Sequence, residues 1–389
     1  MNRFVKLLSG FLTALLVGIF LAGGVGAYLY DQLDAPGPLD VTRAIAIPKG
    51  ENRIEIATRL EREGVINDRY SFIVGHIYQS WGRKNFDLKA GEYEFPAGAT
   101  IQQVAEIIGE GRSVLHRFAV AEGLTSHQIV ERLKADQNLS GEITTVPPEG
   151  SLLPETFIVP RGSARQAVVD TMAAEARKLT ERMWAQRKKD LPLKSWEEAV
   201  ILASIVEKET GRNDERERVA AVFVNRLRKG MRLQSDPTIV YGVVGGQGIL
   251  GRPILRTDID QKTAHDTYQI DGLPPTPICN PGLQAIKAAL NPAKTADLYF
   301  VADGTGGHVF TQTLKDHNAA VSQWRKIEKE SKARQEAQAA ASSATRAVSI
   351  PAPAAADEAA AAADGAPAAT VDRAAIPSAG AAPAAAAAA

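Results

Sequence analysis

Eight apolar or small residues, Ala199 to Val206, lead without interruption into Glu207 within the run WEEAVILASIVEKETG. At about 100° per residue such a run covers every side of a helix, so the helix must be buried almost all round. Glu207 then leaves it into apolar surroundings, which disfavour the charged form of a carboxyl group. A carboxylic acid that keeps its proton near neutral pH can donate it to a leaving group. One turn back stand Ala203 and Ser204, both small, which predicts open space beside the acid. Glu209 lies about 200° further round and points elsewhere, so the two acids do not form a pair for one site. From physics alone a plainer reading stays open, in which Glu207 is a solvated helix-end acid in a Glu-Lys-Glu run.

Two other stretches gather polar side chains. Gln234, Ser235 and Asp236 precede Pro237 on a loop, where they could hydrogen-bond a ligand or merely cap the segment that follows. Asp266, Thr267 and Tyr268 precede LPPTPICNPG, whose prolines impose a rigid extended wall. Asn280, with Pro281 behind it, reads as a helix N-cap with proline at the first helical position.

Other chemistries are set aside. A single cysteine, Cys279, excludes Cys-rich metal centres and an intramolecular disulfide. Gly246, Gly248 and Gly251 match GxGxxG, but Pro253 follows at once and no βαβ unit surrounds them. There is no P-loop, no HExxH among the six histidines and no GxSxG elbow, and His308 and His317 read as structural members of a hairpin and helix. The expectation is therefore no metal and no cofactor. With 45 Lys plus Arg against 45 Asp plus Glu, the formal charge is zero, which argues against a nucleic-acid partner.

Several elements must position these residues. Ser195 and Glu198 form an S-x-x-E capping box that opens the helix carrying Glu207. At the N-terminus, Arg3 and Lys6 precede Leu7 to Tyr30, a stretch of 24 residues without a charge. As a helix it would be roughly 36 Å long, enough for a hydrocarbon core of about 30 Å, and longer than the apolar core of a cleaved signal peptide. The basic pair in front places the N-terminus in the cytoplasm and exports the rest. Pro36 and Pro38, flanking Gly37, suggest a stiff, extended spacer. Further on, one spacing recurs three times: Gly50 with Ile56, Ala57 and Leu60; Gly98 with Val104, Ala105 and Ile108; Gly123 with Ile129, Val130 and Leu133. Each glycine follows a short strand-like stretch and precedes an amphipathic helix, a repeated strand, turn, helix unit. The pattern resembles LysM-like modules, which bind N-acetylglucosamine-containing glycans. At the far end, Pro351 to Ala389 holds 23 alanines among 39 residues, with almost nothing large to pack, and reads as disordered.

Long motifs carry a wider resemblance. ILASIVEKET (Ile201 to Thr210), VFVNRLRKGMRLQSDPTIVYG (Val222 to Gly242), DTYQIDGLPPTPICNPG (Asp266 to Gly282), EGSLLPETF (Glu149 to Phe157) and LYFVADGTGGHVFTQTLKDHN (Leu298 to Asn318) closely resemble the endolytic murein transglycosylases of the YceG-like family. The resemblance makes Glu207 the catalytic residue of a lytic transglycosylase. It also implies a glycan-binding role for Gln234, Ser235, Asp236, Tyr241, Asp266, Thr267 and Tyr268. Enzymes of this type cleave between N-acetylmuramic acid and N-acetylglucosamine without water and leave a 1,6-anhydro end, so one carboxylate can suffice. A hydrolase normally needs two, about 5 Å apart or about 6.5 to 9.5 Å apart according to its stereochemistry.

The expected chain is an α+β protein. It has a cytoplasmic N-terminus (1–6), a transmembrane helix (7–30), a linker (31–40), a LysM-like glycan-binding domain (41–150), a mainly helical catalytic domain (151–330) and a disordered Ala/Pro-rich tail (331–389). It is expected in the inner membrane, with the catalytic domain in the periplasm. There it would cut nascent peptidoglycan strands and end their elongation, beside peptidoglycan synthases as partners. Two alternatives remain: a hydrolytic muramidase in which Asp236 or Glu155 partners Glu207, and a non-catalytic peptidoglycan-binding scaffold.

Overall fold

A computed structural model describes residues 3–348. The chain divides into two compact units. Unit 1 takes the residues through Val120 with Val130–Val146 and Glu155–Thr171; unit 2 takes Ala121–Ile129, Pro147–Pro154 and the chain from Met172.

In chain order the first part comprises α1 (Arg3–Asp34), β1 (Arg43–Ile47), α2 (Arg53–Arg62), α3 (Arg69–Ser80), β2 (Gly91–Phe95), α4 (Ile101–Glu110), β3 (Leu115–Ala119) and α5 (Ser126–Ala135). It continues with β4 (Leu139–Ser140), β5 (Thr156–Pro160), β6 (Ser163–Ala164) and α6 (Arg165–Ala185). The two compact units interleave along the chain. The reason is pairing: β3 runs antiparallel to β5, with Phe118 opposite Phe157, so the chain must return to unit 1 after 154.

The threefold repeat appears as local structure. β1, β2 and β3 each lead through a glycine in the left-handed region, Gly50 (φ 92°), Gly98 (φ 64°) and Gly123 (φ 76°), into α2, α4 and α5. A side chain is strained at such φ values, so glycine is what lets the chain turn there. All nine apolar positions of the repeat are at most 2% exposed. β1 pairs antiparallel with β2, and Tyr93, Phe95, Phe72 and Ile108 fill the core beneath. The third copy joins a different sheet.

α1 is long and apolar enough to cross a membrane over Leu8–Asp34. The segment that follows it packs on unit 1. Leu33 and Leu39 are both buried in the core of unit 1, Gly98 N–H donates to Leu39 O, and Asn67 Nδ2 donates to Pro36 O. A Cβ on Gly37 would lie 2.5 Å from Ala99 O, so only glycine lets this segment lie so close.

Unit 2 is built on α7 (Trp196–Glu209), α8 (Asn213–Arg228), α9 (Asp236–Val244), α10 (Arg256–Asp260) and α11 (Leu283–Leu290). A hairpin of β7 (Tyr299–Ala302) and β8 (His308–Thr311) then leads into α12 (Leu314–Val348). Ala199 to Val206 are buried without exception, as the apolar run requires. Ser195 caps α7 by accepting from Glu198 N, but the Glu198 carboxylate accepts from Lys194 N, so only half of the expected box forms. α12 continues to Val348, past residue 330 where an unstructured tail was expected to start, and Pro351 to Ala389 lie outside the described residues.

Candidate active site

Glu207 sits in the last turn of α7 with its side chain only 6% exposed. Oε2 accepts a hydrogen bond from Gly282 N at 2.9 Å, and Oε1 lies 3.5 Å from Nη2 of Arg216, which is equally buried. Burial is the largest influence on its proton and pushes the pKa up. The Gly282 N–H, Arg216 and Lys208 pull it down, and Glu122 pushes it up. The net direction is upward, and at 6% exposure the side chain is not a solvated helix-end acid.

The open space expected beside Ala203 and Ser204 is absent, because both are fully buried. Their small size serves a different purpose. It lets the segment 278–282 close on α7: Ile278 N donates to Ser204 Oγ at 3.0 Å, and Cys279 Sγ lies 3.4 Å from Ser204 O. That approach brings Gly282 N to Glu207. A Cβ on Gly282 would lie 1.8 Å from Glu122 Oε1, so the exposed Glu122 carboxylate rests against the same glycine. No sequence signal singled out Glu122 or Arg216.

Asn280 is not an N-cap. α11 begins at Leu283 with Gly282 as its cap, and the Asn280 side chain is used elsewhere. Oδ1 accepts from Leu152 N at 2.9 Å, while Nδ2 donates to Glu149 Oε1 at 3.0 Å, Ser126 Oγ at 3.1 Å and Leu124 O at 3.2 Å. Glu149 also accepts from Ser126 N at 2.8 Å and, at 3.4 Å, from the hydroxyl of Tyr241. Burial raises the pKa of Glu149, and burial together with Glu149 pushes Tyr241 up to about 12. Tyr241 thus belongs with Glu149 and Asn280, two residues along the chain from the Gly282 amide.

The other six expected site residues assemble around Glu209. Ser235 Oγ donates to Glu209 Oε1 at 2.5 Å and makes no capping bond to α9. Ser235 N donates to Thr267 Oγ1 at 2.9 Å, and Gln234 N donates to Thr267 O at 3.2 Å. Tyr268 OH donates to Asp236 Oδ1 at 2.6 Å, and Tyr268 N donates to Asp266 Oδ1 at 2.9 Å. Asp266 is 1% exposed, and its Oδ2 has no partner. Gln234 holds a left-handed φ of 52°, and its Oε1 accepts from Arg226 at 3.4 Å.

Burial pushes Glu209 up to about 7, with Asp236 adding to the rise, and burial likewise raises Asp236. Glu209 and Glu207 take different partners, as their angular separation on α7 requires. Among the described residues, none of the seven expected binding side chains hydrogen-bonds Glu207. Sequence reasoning set Glu209 aside; its signal was the conjunction of a second acid on a buried helix with the QSD and DTY stretches. His308 and His317 are packed as structural residues, His308 on Glu215 and Phe300 and His317 against Tyr299.

A profile described as the YceG-like family matches residues 45–323, most of the chain. The chain belongs to the YceG-like family. The match runs over the whole set of motifs described above, from β1 into the start of α12. An endolytic murein transglycosylase of Streptococcus pneumoniae strain D39 is 28% identical over 79% of this chain and 63% of its own length. One from Bacillus subtilis is 29% identical over 76% of this chain and 89% of its own length. The chain therefore spans less than two thirds of the pneumococcal relative. A crystal structure of a yceG-like protein from Listeria monocytogenes is 29% identical, with a TM-score of 0.46, covering 72% of this chain and 98% of that one.

Proposed function

We propose that this protein is an endolytic lytic transglycosylase acting on peptidoglycan, with Glu207 as its single acid and base. The observation that carries the reading is the setting of Glu207: a carboxyl in an apolar helix end, held by one backbone N–H and one buried guanidinium. Burial favours the protonated form of the resting group, which can deliver a proton to the glycosidic oxygen between N-acetylmuramic acid and N-acetylglucosamine as the bond breaks. The carboxylate that remains is stabilised by Gly282 N–H and Arg216. It then takes the proton from the C6 hydroxyl of the same muramic acid, whose oxygen closes onto C1. The 1,6-anhydro ring forms and Glu207 returns to its starting state, with no water consumed.

The relatives' names support the substrate class, since they are endolytic murein transglycosylases. Gln234, Ser235, Asp236, Asp266, Thr267 and Tyr268 would form a glycan-binding region with Glu209, and Tyr241 would act with Glu149. The three strand, turn, helix repeats suit a LysM-like glycan-binding role. α1 would anchor the chain in the inner membrane, with the catalytic unit in the periplasm close to nascent strands and the peptidoglycan synthases that make them.

One observation favours a second reading. Glu122 lies against Gly282 and bears electrostatically on Glu207, so it could be the second carboxylate of a hydrolase, a position earlier considered for Asp236 or Glu155. Asp236 hydrogen-bonds Tyr268 instead. The deciding experiment incubates the full chain with uncrosslinked peptidoglycan strands and analyses the ends by mass spectrometry, beside Glu207→Gln. Internal fragments ending in anhydro-muramic acid, absent with the variant, are expected. Reducing ends would replace the lytic mechanism by hydrolysis, and cleavage that survives in the variant would remove Glu207 from the chemistry.

A further inference from the structure

The exposed side of α3 is apolar. Its exposed positions are Tyr70, Val74, Ile77 and Tyr78, and Trp81 follows as the C-cap. Their exposures are 62, 43, 47, 67 and 86%. At about 100° per residue the five fall within an arc of about 100°, so they make one stripe along the helix. The opposite side, Ser71, Phe72, Gly75 and His76, is buried in unit 1, so the fold does not need the stripe for its core. A helix facing water normally puts charged residues on that arc, and a contiguous exposed apolar patch marks a contact surface.

The position of α3 says what it contacts. Leu33, at the end of α1, is 6% exposed and seated on α3: a Cβ on Gly75 would lie 2.6 Å from Leu33 Cδ2. Leu33 is three residues beyond Tyr30, about 4.5 Å along the helix, whereas the interfacial layer on each side of a hydrocarbon core is roughly 5–7 Å deep. The seat of α3 on α1 therefore falls in that layer. Tyr28 and Tyr30, both exposed, mark the same level on α1 itself. Tyr and Trp are the side chains that suit the interface, since a ring takes the apolar side and a hydroxyl or N–H the wet one. Lys84, exposed just past the end of the stripe, adds a positive charge of the kind that suits lipid phosphates.

We propose that α3 is an interfacial docking helix that lays Tyr70, Val74, Ile77, Tyr78 and Trp81 into the headgroup region of the bilayer crossed by α1. The proposal rests on α1 being a membrane anchor. Its consequence is that unit 1 does not swivel on a tether: it is held on the bilayer at two places, the end of α1 and the stripe.

The test reconstitutes the full chain into vesicles of phosphatidylcholine and phosphatidylglycerol, with acyl chains either plain or brominated near the headgroup. Tryptophan emission is compared for the wild type and Trp81→Phe, and each sample is floated on a density gradient. Brominated lipid is expected to quench the wild type by up to roughly a quarter, the share of one tryptophan among four, and Trp81→Phe is expected to lose that quenching. Ile77→Glu, a change on the exposed stripe, should at least halve the quenching with the thermal melt unchanged. Equal quenching of wild type and Trp81→Phe in vesicles that carry the protein to the top overturns the docking alone. Failure of the wild type to float overturns the anchor and the docking together.

Discussion

Replacing Glu209 with glutamine should change how the stability of unit 2 depends on pH, and the sign follows from its surroundings. Burial of the carboxyl, with the negative Asp236 adding to it, lifts its pKa from 4.5 to about 7 against the opposing pull of the Ser235 hydroxyl and Arg226. The unfolded chain releases that proton near 4.5, so between 4.5 and about 7 the folded state binds more protons than the unfolded one. Stability drawn from protonated Glu209 is thus complete below about pH 4.5 and is lost as pH rises through about 7. At about 1.4 kcal/mol for each pH unit, that window holds about 3 kcal/mol. Glutamine keeps an acceptor oxygen for Ser235 and carries no charge at any pH. Wild type and Glu209→Gln should therefore melt within a few degrees of each other at pH 5. At pH 8 the variant should melt roughly 6–12 °C higher, taking about 2–4 °C for each kcal/mol in a unit of this size. Trp184, Trp196 and Trp324 all lie in unit 2, so tryptophan emission during a thermal ramp reports the transition. Glu207 and Glu149, also raised by burial, tilt both curves alike and drop out of the comparison. Parallel curves from pH 5 to pH 8 would refute the reasoning and return Glu209 to the status of an ordinary ionised acid.

Glu122→Gln removes a negative charge that raises the pKa of Glu207, so the alkaline limb of the kcat/KM profile for strand cleavage should move to lower pH while the melting temperature stays within about 1 °C; an unmoved limb would show that the two carboxyls do not communicate. Asn280→Ala strips Leu152 N–H and Glu149 Oε1 of a buried partner, and urea unfolding should register a loss of about 3 kcal/mol, against less than 1 kcal/mol if Asn280 were only a helix cap at the start of α11.

Local periodicity and local stereochemistry were enough to read a good part of this protein. Eight apolar or small residues in a row behind an S-x-x-E cap read as a helix buried on all sides, and Ala199 to Val206 are buried throughout. Glycines at fixed distance before an i, i+1, i+4 pattern can only turn a strand into a helix, and Gly50, Gly98 and Gly123 do so with positive φ. The charge-free stretch before Asp31 was equally legible, as were the motifs that place the chain in its family. These features depend on neighbours within one or two turns, so the residues themselves contain the answer.

What depended on distant residues was not legible. The backbone of Gly282 reaches Glu207 across 75 residues of chain, because Ala203 and Ser204 are small enough for the segment 278–282 to close on α7. Asn280 looked like a helix cap because Pro281 follows it, yet its amide joins Leu152, Glu149 and Ser126, partners more than 120 residues away in sequence. Ser235 left its capping position for Glu209, and Pro36 to Leu39 settled onto unit 1, although their composition suggested only a stiff, extended spacer. The pairing of β3 with β5, which interleaves the two units, has the same character. Sequence specified which groups were available and which segments would be helix or strand; only the closing of non-adjacent segments decided which groups meet. Partner choice there is set by shape and burial summed over the whole core, and no single stretch of chain encodes that sum.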